Sequence, residues 1–122
     1  MYNTLIEYIN SRISRPLAQD EIKILKDNFI PNKVKKRQFF SKEGEVNKYM
    51  GFLVKGAMKM YSVDNKGIEH IVNLYINGWW VGDRESFTKL IPSPFNIMAC
   101  EDTDLLILTK NNAAQVFSPN YD

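Results

Sequence analysis

Apolar positions recur at helical spacing up to Phe29 and at strand spacing beyond it. In Tyr2–Ile13, Leu5, Ile9 and Ile13 fall four apart with Tyr2 and Ile6 beside them, which makes one helical face. Pro16 ends that helix or opens the next piece. Asp20–Phe29 repeats the spacing through Ile22, Leu25 and Phe29. Acids stand at its start and Lys26 near its end, the order a helix dipole favours, and Pro31 closes it.

From Val34 to Phe40 the chain is strand-like, with Lys33, Lys35 and Arg37 on alternate positions as a solvated face or guarded edge. Glu43-Gly44-Glu45 reads as a turn and Tyr49–Val54 as a strand. Lys55-Gly56 then leads into Ala57–Val63, where Met58, Met60 and Ser62 alternate with Lys59, Tyr61 and Val63. The two methionines read as core filler. Asp64-Asn65-Lys66-Gly67 predicts a hairpin returning through Ile68–Ile76, and Asn77-Gly78 another turn. Phe95–Cys100 and Leu105–Thr109 are two more strands around a Glu101–Asp104 turn. Lys110–Phe117 starts a helix that Ser118-Pro119-Asn120 stops. Short strands joined by Gly-rich turns, with helices at the ends, predict a mainly β domain, a small sandwich or barrel.

One stretch breaks the strand series: Trp79 to Phe87, running on to Ser93-Pro94-Phe95-Asn96-Ile97. Gly82 lets the chain turn without a Cβ clash, and Asp83 is a favourable cap for a helix starting at Arg84. The N–H groups of that first turn, at the positive end of the helix dipole, suit an anion. The plainer reading is a capped turn that binds nothing. Trp79 and Trp80 are both expected to pack into the core, one of them steadying the Gly82 turn, with the wall of a ligand pocket as the alternative place for the other.

Composition narrows the chemistry. The 122 residues are one domain by length, with 44% hydrophobic and 25% charged content, and seven Phe, six Tyr and two Trp supply a core. A formal charge of +2 singles out neither nucleic acid nor membrane. No apolar run approaches the roughly 18 residues of a membrane helix, and the N-terminus lacks the pattern of a secretion signal. A soluble cytoplasmic protein is expected. The lone Cys100 sits in an apolar run and reads as a packed, inert thiol. His70, the only histidine, cannot supply a metal site by itself and reads as a solvent-facing or locally bonded strand residue. Nucleophilic catalysis has no support, and no enzyme is expected.

With the elements placed, the chain resembles the cyclic-nucleotide-binding domain of Crp/Fnr transcription regulators. The resemblance rests on the opening helix pair, Phe39-Phe40 with Glu43-Gly44-Glu45, and the Val54-Lys55-Gly56-Ala57 turn. It continues through Gly82-Asp83 with Ser86-Phe87, then Ile97-Met98-Ala99, Glu101 and Leu105-Leu106. It implies a jelly-roll (double-stranded β-helix) fold, with helices over about 2–29, the roll over about 33–109 and the start of a C-terminal helix over about 110–117. The family's DNA-binding domain is absent from this chain, so DNA is expected only through a further C-terminal domain. The implied ligand is a cyclic nucleotide or another small anion, with no cofactor certain. The implied partners are that effector and a second copy in a homodimer, with no membrane.

The resemblance also implies a phosphate-binding cassette at Gly82, Asp83, Arg84, Glu85, Ser86, Ser93, Pro94 and Asn96. In the family a glutamate follows the glycine and accepts the ribose 2′-hydroxyl; Asp83 stands there, one methylene shorter. Where the family has an arginine and then Ser or Thr to clamp the phosphate, this chain has Ser93 and Pro94. Hydrogen bonds to a charged group are worth roughly 1.5–3 kcal/mol each. Losing one or two weakens binding about tenfold to several hundredfold or more. Two readings follow: a sensor with altered or lost cyclic AMP binding, or a ligand-free interaction module on the same fold.

Overall fold

The computed structural model describes residues 1–116. Two helices open the chain, α1 (Tyr2–Asn10) and α2 (Gln19–Asn28). Six strands follow: β1 (Ile30–Val34), β2 (Phe39–Ser41), β3 (Tyr49–Lys55), β4 (Met58–Val63), β5 (Glu69–Tyr75) and β6 (Trp80–Val81). Then come α3 (Arg84–Lys89), β7 (Asn96–Ala99), β8 (Thr103–Thr109) and α4 (Lys110–Val116). The strands form two four-stranded antiparallel sheets, in the orders β1-β8-β3-β6 and β2-β7-β4-β5. This is the mainly β roll that the strand pattern predicts.

Strand alternation divides the apolar residues between two cores. Val34, Leu53, Val81 and Leu105 of the first sheet meet Met58, Met60, Tyr75, Ile97 and Ala99 of the second. The intervening residues Phe52, Leu106 and Leu108 face the other way, onto Leu5, Leu25 and Phe29 of the helical pair. Tyr8, Phe29 and Phe52 surround Trp80 with ring centroids 5.2–6.0 Å away, in tilted and edge-on contacts. The first sheet is thus covered on both faces. The second has its inner face in the roll, while Leu74 and Ile71, on its outer side, remain exposed.

Several boundaries differ from the sequence reading for identifiable reasons. α1 stops at Asn10 instead of Ile13: the Ser11 hydroxyl donates to Tyr8 O at 2.6 Å, and Asn10 Oδ1 accepts from Leu17 N at 2.9 Å. Val34–Phe40 is two strands, not one. Arg37 turns the chain between them at φ 72°, with its N–H on Ala99 O at 2.8 Å. Pro31 lies inside β1, tolerable because β1 is a sheet edge. Trp79 is half exposed, so only Trp80 packs as expected. Cys100 is exposed, not packed, because the inward alternation ends at Ala99. His70 is solvent-facing, with Nε2 2.8 Å from Asp64 Oδ2 across the hairpin. Phe117 lies outside the described residues.

Gly56 shows how tightly the roll closes. Its φ is +128°, and a Cβ there would stand 2.8 Å from the Thr103 Cα and 2.9 Å from Asp102 O. Backbone on backbone leaves no flexible group to give way, so the β3–β4 turn requires glycine.

Candidate functional site

The interruption after β6 folds as a short cassette. β6 pairs with β3 and leads into Gly82, whose φ is +142° and which lies against the Met50 side chain. Asp83 then starts α3, and Leu90, left-handed at φ 56°, ends it. Residues 91–95 carry the chain back to β7.

Asp83 is the hinge of this cassette. Its Oδ1 accepts from Glu85 N at 3.1 Å and Ser86 N at 3.3 Å, which is N-capping as the sequence predicts. The two amides that would suit an anion are therefore held by the chain's own carboxylate. The other oxygen, Oδ2, accepts the Ser93 hydroxyl at 2.7 Å, bridging the start of the cassette to its return. Ser93 is buried; its Oγ also accepts from Phe95 N at 3.2 Å, its N–H donates to Glu45 O at 2.9 Å, and its carbonyl accepts from Gly44 N at 2.8 Å.

Asn47 ties the cassette to the loop before β3. Its Oδ1 accepts from Asp83 N at 3.0 Å, its Nδ2 donates to Ser41 Oγ at 2.9 Å, and its own N–H donates to Ser86 Oγ at 2.8 Å. The Ser86 hydroxyl in turn donates a hydrogen bond to Ile91 O at 2.5 Å. Among the described residues, no buried side-chain polar atom lacks a partner. Such a fully satisfied polar cluster is rigid, since leaving any one member unpaired carries a desolvation penalty. A cleft of about 390 Å³ opens beside it, its walls including Ser41 and Asn47.

Tyr75, the last residue of β5, closes the inner side. It is 3% exposed and packs with Met60, Val81 and Ile97. Its hydroxyl lies 4.0 Å from Met60 Sδ, and the Asn73 side chain, the Gly82 amide and the Asp83 carboxylate face it. Burial pushes the phenol above its usual pKa. The Asn73 and Gly82 dipoles oppose that rise, and the Asp83 charge adds to it. A neutral phenol thus sits between the roll and the first turn of the cassette.

Of the residues named from sequence, Gly82, Asp83, Ser86 and Ser93 meet in one cluster. Asn96 joins its margin by accepting from Glu43 N at 2.9 Å. Arg84, Glu85 and Pro94 are exposed. Arg84 instead lines a separate, mostly apolar cleft of about 550 Å³ beside α1 and α2, together with Arg12, Trp80 and Phe87. Sequence reasoning missed Asn47, Ser41 and Tyr75. Asn47 contacts Asp83 across 36 positions of chain, a distance no local pattern spans.

Among the described residues, no helix is long and apolar enough to cross a membrane. No curated protein sequence matches the chain significantly. Solved structures do match its fold. One is the catabolite activator protein of Thermus thermophilus, 19% identical, covering 83% of this chain and 47% of that one with a TM-score of 0.72. Another is the regulatory subunit of a cAMP-independent protein kinase A from Trypanosoma cruzi bound to guanosine, 15% identical, covering 99% and 41% with a TM-score of 0.77. The N-terminal domain of a transcriptional regulator from Streptomyces coelicolor is 14% identical, covering 85% and 72% with a TM-score of 0.71. The chain spans less than half the length of the first two. At these identities the likeness shows the fold, a jelly roll shared with regulatory proteins. The family model of the cyclic nucleotide-binding domain matches residues 31–120, most of the sequence, and the chain belongs to that family.

Proposed function

We propose that this chain is a regulatory domain of Crp/Fnr type, working in the cytoplasm, whose cassette is held by its own side chains and does not take cyclic AMP through the family's phosphate clamp. The observation that carries this reading is the 2.7 Å hydrogen bond from the Ser93 hydroxyl to Asp83 Oδ2. At the position where the family places an arginine, this chain puts a hydroxyl, and that hydroxyl is turned onto the carboxylate that would accept the ribose. Asp83 already receives three donors. A nucleotide must displace the Ser93 bond, worth about 1.5–3 kcal/mol, and finds no guanidinium for its phosphate. Tyr75, buried in the roll beside the Gly82 amide and the Asp83 carboxylate, fills the inner side of the same cassette.

Two ligand states are compatible with a closed cassette. One is a sensor with a changed effector, binding one of two conformations better than the other. The Trypanosoma cruzi subunit, described as cAMP-independent and bound to guanosine, supports including nucleosides, which offer ribose hydroxyls without a phosphate to clamp. The other is a ligand-free interaction module, favoured by the complete internal satisfaction of the Asn47, Ser86 and Ser93 side chains.

A thermal-shift panel of cyclic nucleotides, nucleosides and small anions at about 1 mM separates these, because a ligand selective for the folded state raises the melting point. Cyclic AMP and cyclic GMP are expected to give a shift below about 1 °C. A shift confined to nucleosides or another anion selects the changed-effector sensor, and a flat panel selects the interaction module. A rise of several degrees with cyclic AMP contradicts both.

A further inference from the structure

The cleft of about 550 Å³ that Arg84 lines stands apart from the cassette cluster and has the size of a small-molecule site. It opens between α1, α2, α3 and α4, and its walls are aromatic: Tyr8 from α1, Phe29 just after α2, Trp80 from β6 and Phe87 from α3. Phe29 is buried, but Tyr8, Trp80 and Phe87 are only half-buried. The edge-on contact of Tyr8 with Trp80 therefore leaves part of each ring uncovered on the cleft side.

The charges around this cleft are of one sign. Arg12, just past α1, and Arg84, the first residue of α3, both line it, and among the described residues no carboxylate does. Neither guanidinium has an ion-pair partner among the described residues. Arg12 rests 4.9 Å from the centroid of the Tyr8 ring, at the margin of the apolar wall. The other cation of α3, Lys89, lies outside the cleft and meets Glu85 at 3.5 Å.

We propose that this cleft binds a small amphipathic carboxylic acid, its apolar body against Tyr8, Trp80 and Phe87 and its carboxylate drawn to the Arg12 and Arg84 guanidiniums. Charge complementarity selects the class. An uncharged apolar molecule would leave both guanidiniums unanswered. A nucleotide would press its ribose hydroxyls and further polar atoms against aromatic walls that cannot bond them. A single carboxylate matches the planar fork of arginine, and the rest of the molecule covers the rings. The site uses none of Asp83, Ser93 and Asn47, so it stands whether or not the cassette takes a nucleotide. Its occupant would touch α1 and α3 together and tie the cassette helix to the opening helices.

Trp80 supplies the readout. Trp79→Phe leaves it as the sole tryptophan of the intact chain, and octanoate is the probe. Titration is expected to give a saturable change in tryptophan emission with a dissociation constant below about 1 mM. Octan-1-ol, which keeps the chain and loses the charge, should bind at least about tenfold more weakly. Arg12→Ala and Arg84→Ala, at exposed positions, should each weaken octanoate at least about fivefold and leave octan-1-ol unchanged. Lys89→Ala should leave octanoate binding unchanged, and circular dichroism verifies that each variant folds. The proposal is overturned by a folded chain with no saturable response, by equal binding of octanoate and octan-1-ol, or by a Lys89→Ala loss as large as that of Arg84→Ala.

Discussion

Asp83→Ala should lower the thermal midpoint by about 10 °C. The carboxylate accepts from Glu85 N, Ser86 N and the Ser93 hydroxyl, and its removal frees all three donors at once. Loss of an N-cap costs about 1 kcal/mol, and loss of a charge-assisted bond from a buried hydroxyl about 1.5–3 kcal/mol. The sum, near 3 kcal/mol, converts to about 10 °C for a domain of this size. Ser93→Ala removes the bridge and the acceptor of the Phe95 amide and should cost about two thirds as much. Arg84→Ala, at an exposed position away from the cluster, should fall within about 2 °C of the parent. In the double variant Asp83→Ala/Ser93→Ala the losses should be less than additive, because both single changes break the same bond. Differential scanning calorimetry reads all four. An Asp83→Ala midpoint within 2 °C of the parent would show that the carboxylate does not hold the cassette.

The second large effect is a gain. Ser93→Arg restores a guanidinium at the phosphate position and removes the hydroxyl that occupies Asp83. Asp83→Glu restores the reach toward a ribose, and Tyr75→Leu clears the phenol from the inner side of the cassette. The triple variant is expected to bind cyclic AMP at least about 100-fold more tightly than the parent, since two new charge-assisted bonds supply about 3 kcal/mol or more. Ser93→Arg alone should gain less, because Asp83 is still one methylene short of the glutamate's reach. Fluorescence titration with a labelled cyclic nucleotide measures the difference, with circular dichroism confirming that each variant folds. A folded triple variant no better than the parent would mean that something other than these three positions excludes the ligand.

Much of the fold is written locally. The helical spacing of Leu5, Ile22, Leu25 and Phe29, the hairpin at Asp64-Asn65-Lys66-Gly67 and the cap at Gly82-Asp83 each depend on a few neighbouring residues. What was not legible depends on contacts remote in sequence. Arg37 breaks the Val34–Phe40 run because its amide finds Ala99 O. The apolar run that suggests a packed Cys100 misleads, because Ile97 and Ala99 take the inward positions of β7 and leave Cys100 on the outward side past its end. At the site, Gly82, Asp83 and Ser93 could be named by position, but their closure could not. It requires Asn47 from one loop and Tyr75 from the end of β5, brought together only when the two sheets face each other. The bulge at Val72, which sets Ile71 and Leu74 on one face, likewise leaves no mark in the period-two pattern.

The most direct measurement is calorimetric titration of the unaltered chain with cyclic AMP. A cassette closed by Asp83, Ser93 and Tyr75 predicts heats no greater than dilution up to about 1 mM ligand. A saturable isotherm with sub-micromolar affinity and one site per chain would contradict it, because no nucleotide can bind that tightly while leaving the Ser93–Asp83 bond in place.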